Sequence, residues 1–363
     1  MVNSSSTRAW RGKLTIFLLG GIVSITCLYF AFRKLNLSEV LENFSRMGFG
    51  AICVGLILAN LHNFLLAKRW HLLVQPFGSI SYWTAFWSLR ISFFFNASLP
   101  ARLGEPFRVF FITRKTKISA ARLVGAMGAD RFLDFITMSL LLYLSSVVLG
   151  VRGSLPPWST ILLSTLAFLA LFLGLTQLPK HSSIQWLNGF LQIRARIFEG
   201  IASLKNYRIL LSTVAISLLG WLIEAVIVVA FSHGVDSPIS LYKAFMVVAA
   251  VTLMIAIPSS PGHIGTFELA AITMLSFFGI PPNNAAAIAI LYHMVQLIPT
   301  LLIGAYGYQF YFLKGDSKHR PEHPVSMDSL RKIPSRWQFG KRLKKNRAHE
   351  SHHRTKAVSS NDS

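Results

Sequence analysis

Charged side chains inside apolar stretches are the first sign of chemistry in this sequence. The chain has 14 acidic residues in 363, and Glu105, Asp130, Asp134, Glu224 and Glu268 all lie in or beside long apolar runs. A charge placed mid-membrane costs about 2.5–3.5 kcal/mol, so such residues pair, line a cavity or carry function. Asp130 and Asp134 are one helical turn apart and share a face, and Arg131 can pair with Asp134. Arg102, Glu105 and Arg108 recur at spacing three. Guanidinium forks at that spacing suit a phosphate; ion pairs that merely hold a turn are the equal alternative. Glu224 has no partner nearby in sequence. His293 and Gln296 share a helical face, where His293 reads as a packing residue. His263 is the better candidate for a functional histidine.

Two of the carboxylates follow similar breaks. One break reads Pro100-Ala-Arg-Leu-Gly104-Glu105, the other Pro261-Gly262-His263-Ile-Gly265-Thr-Phe-Glu268. Proline stops a helix, and glycine admits backbone angles closed to other residues. Helices starting after Gly104 and Gly265 would aim their first amides into the membrane interior, where such ends attract anions. Glu105 and Glu268 then either cap those amides or take part in transport.

The elements that must position these groups are membrane helices. Hydrophobic residues make up 53% of the chain and charged residues 14%, with mean hydropathy +0.50. A bilayer core needs about 20 apolar residues as helix. Leu14–Phe32, Phe49–Leu66, Phe132–Leu149, Thr160–Leu178, Ile209–Phe231 and Ala285–Phe312 approximate that length. Tyr82–Leu99 and Leu241–Ile257 are apolar as well, but each runs into Pro and Gly. Asn36–Met47 is amphipathic and is expected along the outer interface. The net charge of +22 collects in loops, as cytoplasmic loops require, and this excludes nucleic acid as the partner. The first apolar run is too long for a signal peptide and is followed by Arg33-Lys34. Cys27 and Cys53 sit in apolar runs as thiols.

Basic residues flank Tyr82–Leu99 on both sides, so both its ends belong in the cytoplasm and the segment is expected to be re-entrant. The second broken segment, Leu241–Phe278, is expected to enter from outside. The predicted fold is an all-α polytopic membrane protein with six to eight membrane segments. It is built as two inverted repeats, each with a Gly/Pro-broken re-entrant element, the plan in which broken helices mark transport sites. The expected divisions are a cytoplasmic N-terminus (1–13), a transmembrane domain (14–313, with halves about 14–150 and 159–313) and a basic disordered cytoplasmic tail (314–363). Localisation in the inner membrane follows, with both termini cytoplasmic. No phosphate-binding loop, nucleophile elbow or zinc spacing occurs, so neither an enzyme nor a cofactor is expected.

Three motifs together resemble one family: P-x-R-x-G-E-x-x-R (Pro100, Arg102, Gly104, Glu105, Arg108), D-R-x-x-D (Asp130, Arg131, Asp134), and P-x-x-P-G-x-x-G-x-x-E (Pro258, Pro261, Gly262, Gly265, Glu268). The chain is similar, over roughly residues 12–315, to the flippase-like membrane domain of the lysylphosphatidylglycerol synthase family. In fused members that domain moves lipid aminoacylated by a cytoplasmic catalytic domain. The polar tail here is too short for such a domain, so the resemblance implies a stand-alone lipid flippase that handles an anionic headgroup. The site would comprise Arg102, Gly104, Glu105, Arg108, Asp130, Arg131, Asp134 and Glu224 with Pro261, Gly262, His263, Gly265 and Glu268. Membrane lipids are the expected partners. A membrane enzyme on a lipid-phosphate or glycan carrier, or a scaffold for a separate lipid or glycan synthase, is the alternative.

Overall fold

The computed structural model describes residues 20–33, 35–99, 103–150, 199–200, 202–257 and 259–314. The expected span Thr160–Leu178, the residues Pro100, Arg102 and Pro258, residues 1–19 and the tail from 315 lie outside the described residues. Residues 311–363 form a unit of their own, of which 311–314 are described, as helix.

Among the described residues there is no strand. Ten helices follow in chain order: α1 Gly20–Phe32, α2 Leu37–Arg46, α3 Gly48–Val74, α4 Tyr82–Ser98, α5 Gly104–Lys115, α6 Ala120–Leu149, α7 Tyr207–Gly234, α8 Leu241–Met254, α9 Thr266–Phe277 and α10 Pro282–Tyr308. Four of the helical stretches, Gly48–Phe77, Ala120–Leu149, Tyr207–Gly234 and Pro282–Phe312, are long and apolar enough to cross a membrane. Leu211, Ile57 and Leu302 are left exposed on them, as lipid contact requires. The protein is an all-helical membrane protein.

α4 and α5 form one helical hairpin, α8 and α9 another. With 17 and 12 residues, α4 and α5 reach only about 25 and 18 Å, short of the roughly 30 Å core. Each hairpin leaves where it began. Gly78, just before α4, packs on Ile118, just after α5. Lys243 at the start of α8 lies 5.5 Å from the ring of Phe278 at the end of α9. Serine caps start both first arms: Ser81 accepts from Thr84 N and Ser240 from Lys243 N. The surrounding residues repeat as Ile80-Ser81-x-x-x-Ala85-Phe86 and Ile239-Ser240-x-x-x-Ala244-Phe245.

Packing between the elements follows a regular pattern. α3 packs along α7. α4 packs on α3 and α10, and α8 correspondingly on α7 and α6. The close α4–α10 contact uses small residues, with Gly304 against Phe94 and Gly307 against Trp87. The turn Pro261–His263 of the second hairpin packs against α4 of the first. A Cβ on Gly262 would lie 3.6 Å from the Ala97 carbonyl, so the second hairpin's tip meets the end of α4. α2 is docked on the start of α10, where Asn43 Nδ2 donates to Asn284 Oδ1 at 2.9 Å.

Two expectations change. The element expected at Tyr82–Leu99 does not end there: Gly104–Lys115 is a helix packed back on α4. The span predicted at Phe132–Leu149 begins instead at Ala120. Of the charges that shortened the prediction, Asp130 is buried and paired with Arg69 and Arg108, and half-exposed Arg131 lies against Asp134.

Candidate functional site

The first hairpin stands beside a buried charge cluster. Arg69, near the end of α3, places Nε 2.8 Å from Asp130 Oδ1 and Nη1 2.6 Å from Asp134 Oδ1, and donates to Ser217 Oγ of α7 at 2.8 Å. From α5, Arg108 Nη1 lies 3.2 Å from Asp130 Oδ2. The Arg108 guanidinium stacks 3.5 Å from the Trp70 ring centroid, and Trp70 Nε1 donates to Ser88 Oγ of α4 at 3.2 Å. Asp130 is thus shared by α3 and α5, and four helices are tied at one point. Arg131 is held more loosely, 3.4 Å from Asp134, 3.6 Å from Asp130 and 3.7 Å from Glu105. Its side chain is 51% exposed, so it can meet a ligand without the cluster coming apart. Arg69, Arg108 and Arg131 balance Glu105, Asp130 and Asp134, and the cluster has no surplus charge.

The surplus lies on α4. Arg90 is fully buried and donates from Nη2 to the Pro299 carbonyl of α10 at 2.7 Å. Its Nε and Nη1 have no hydrogen-bond partner, and among the described residues no carboxylate forms an ion pair with it. Two Arg108 nitrogens, Nε and Nη2, also lack a hydrogen-bond partner. A buried cation without a counter-ion is costly, and Arg90 has none among the described residues.

The tips of the two hairpins are fastened differently. Gly104 N donates to Asn96 Oδ1 of α4 at 2.8 Å, so α5's first amide is capped by a neutral side chain. Glu105 does not take that role, and its Oε2 has no hydrogen-bond partner. Glu268 does cap its helix, Oε2 accepting from Gly265 N at 2.7 Å. Gly265 has φ +93, where a side chain is strained, and a Cβ there would also press on Ser24 O of α1. Glu268 Oε1 is 2.6 Å from His293 Nδ1, and His293 Nε2 is 2.9 Å from the Gly262 carbonyl. Phe267 stacks on the imidazole at 4.2 Å.

Glu224, on α7, is enclosed by three groups. His62 Nδ1 of α3 meets Oε1, while Tyr292 Oη and Gln296 Nε2 of α10 donate to Oε2, at 2.7 and 2.5 Å. Adjacent residues of α10, Tyr292 and His293, therefore serve two different buried carboxylates.

Of the predicted site residues, Glu105, Arg108, Asp130, Arg131 and Asp134 come together with Gly104 at the first hairpin. Pro261, Gly262, His263, Gly265 and Glu268 shape the second, and Glu224 stands between α3, α7 and α10. His293 joins Glu268, as a hydrogen-bonded residue packed between α9 and α10. Sequence reasoning missed Arg69, Arg90, His62 and Tyr292. A lone arginine in the apolar stretch Tyr82–Leu99 was the available signal for Arg90. His62 and Arg69 pair with residues 162 and 65 positions away, which spacing cannot reveal. Among the described residues no group of three His, Cys, Asp or Glu could hold a metal.

Residues 17–304 match the family described as the lysylphosphatidylglycerol synthase TM region. The chain is also similar to a UPF0104 membrane protein of Methanocaldococcus jannaschii, 27% identical over 238 residues covering 63% of this chain and 98% of the relative. A second UPF0104 membrane protein, from Methanothermobacter thermautotrophicus, is 24% identical over 228 residues, covering 56% of this chain and 67% of the relative.

Proposed function

This chain belongs to the lysylphosphatidylglycerol synthase TM-region family, and we propose that it moves an anionic lipid or lipid-linked intermediate across the bilayer. The observation that carries this reading is Arg90, a buried guanidinium with no counter-ion among the described residues and two nitrogens without hydrogen-bond partners. Inside a membrane the anions at hand are lipid headgroups. Their phosphate oxygens satisfy guanidinium donors in the plane of the fork. The headgroup is met first by half-exposed Arg131, and Arg90 neutralises it deeper in. The acyl chains stay in lipid.

The transport cycle rests on two inverted repeats, α3–α6 and α7–α10. Exchanging α3 with α7, α4 with α8, α5 with α9 and α6 with α10 maps each of the main packing pairs onto another. In sequence the exchange also pairs the Ile-Ser-x-x-x-Ala-Phe repeats and the two Pro–Gly breaks. With the first hairpin entering from the cytoplasm and the second from outside, rocking of the halves alternates access to the meeting tips. The termini are cytoplasmic, the membrane is the inner one, and the chain acts without chemical turnover of the lipid.

The test is translocation of a fluorescent anionic phospholipid in proteoliposomes. Wild type is expected to carry inner-leaflet lipid to an external quencher, and Arg90→Gln to slow it roughly tenfold, the loss expected for a charge-assisted contact of about 1.4 kcal/mol. Because Arg90→Gln removes an unpaired buried charge, the variant should unfold no earlier than wild type. No movement above protein-free liposomes overturns the reading, and turnover of the lipid would replace it with an enzyme.

A further inference from the structure

The hydrogen bonding of His293 fixes a proton count. Its Nε2 faces the Gly262 carbonyl at 2.9 Å, and a carbonyl only accepts, so Nε2 carries a hydrogen. Its Nδ1 faces Glu268 Oε1 at 2.6 Å, and a second proton must lie between those two atoms. Either the imidazole is charged and the carboxylate ionised, or the imidazole is neutral and the carboxyl protonated. In both cases the pair holds one proton more than a free carboxylate and a neutral imidazole. Loss of that proton would set two lone pairs face to face at a buried site.

This pair supplies hydrogen bonds that join the second hairpin's tip to α10. Glu268 Oε2 holds the Gly265 amide, and His293 Nε2 holds the Gly262 carbonyl. We propose that the Glu268–His293 pair is a proton-binding site, its single exchangeable proton latching the second hairpin to α10 and thereby driving lipid translocation. The coupling rests on the translocation reading; the latch does not. The proton enters between Nδ1 and Oε1 and leaves from there to water, and its departure frees the tip from α10.

Few other titratable groups surround the pair. On α10 itself Tyr292 is engaged by Glu224 of α7, which also meets His62 of α3. Arg90 of α4 contacts Pro299, further along α10. The turn contributes His263, and α1 contributes buried Cys27 with Ser24, whose Oγ accepts from Ser260 N at 2.9 Å. Tyr242 and Lys243 of α8 lie at its start, the latter against Phe278. Glu39 of α2 meets Asn283 at the far end of α10. Among the described residues only His293 has acceptors facing both ring nitrogens, which is why the site is placed here and not at Glu224.

Hydrogen exchange of the full chain in lipid nanodiscs tests the latch. After correction for intrinsic rates, the tip peptide around Gly265 is expected to exchange roughly tenfold faster at about pH 9 than at about pH 5. Glu268→Gln offers an N–H toward Nδ1 and keeps an acceptor for Gly265 N, so a neutral His293 holds both bonds without the extra proton, and its tip should stay protected at both. His293→Gln should likewise lose the pH response. Equal wild-type protection at both pH values overturns the latch, as does a wild-type response in both variants. In proteoliposomes a proton gradient should speed wild-type lipid movement several-fold and leave Glu268→Gln unchanged. Lipid movement that ignores the gradient overturns the coupling alone; absence of any lipid movement overturns the translocation reading and the coupling with it.

Discussion

The two hairpins share a backbone plan and differ in nearly everything that holds them. The first is tied down by guanidiniums: Arg108 of α5 and Arg69 of α3 meet on Asp130, and Arg90 sits inside α4. The second has no arginine on either arm, and a carboxylate–imidazole pair does the fastening. Element lengths and capping serines are nearly the same, so the backbone does not dictate the chemistry. The same hairpin plan carries buried guanidiniums in one case and a carboxylate–imidazole pair in the other. Under the proposals above, the guanidinium serves an anionic ligand and the carboxylate–imidazole pair serves a part that must let go.

The largest expected effect breaks the first hairpin at its shared anchor. Asp130→Ala leaves Arg69 and Arg108 buried without their common carboxylate and is expected to cost about 3–5 kcal/mol. Chemical unfolding in detergent micelles checks this. A loss under about 1 kcal/mol would mean that the arginines find other partners.

A smaller contrast concerns the two tip glycines. Gly104→Ala would drive a Cβ into the Ser92 carbonyl, within the same hairpin, whereas at Gly265 the added Cβ meets α1 and a φ of +93. Each should cost about 1–3 kcal/mol. Exchange data should tell them apart: Gly104→Ala should loosen α4 against α5, and Gly265→Ala should loosen α1 from the second tip.

The smallest test sharpens the difference in capping. Asn96→Ala removes the acceptor for Gly104 N and should cost about 1 kcal/mol, the usual size of a lost cap. Glu105→Gln, which disturbs only a 3.7 Å contact with half-exposed Arg131, should stay within about 0.5 kcal/mol. The reverse order in thermal unfolding would make Glu105 the working cap after all.

Much of this was legible from the sequence because it follows local rules. Apolar runs marked α3, α7 and α10, and the paired Pro–Gly breaks marked both hairpins. Glu268 was legible as a cap because it bonds an amide three residues away. α6 was read short because charges interrupt it, and only the fold shows that Arg69, from another helix, satisfies them. Glu224 looked solitary because its partners are His62, Tyr292 and Gln296, all far off in sequence. The Ile-Ser-x-x-x-Ala-Phe repeat was visible and overlooked. Its residues are ordinary, and only their two-fold use as helix starts gives them meaning.

The bond from Ser260 N to Ser24 Oγ spans 236 residues. α1 leaves the ribosome long before its partner exists. Until residue 260 is made, the Ser24 hydroxyl oxygen must find a substitute donor, in lipid headgroups, in water or in the insertion machinery. Contacts of such separation form late and slowly. The first described helix is therefore also among the last to be secured, and its assembly closes like a clasp after the second hairpin has entered the membrane.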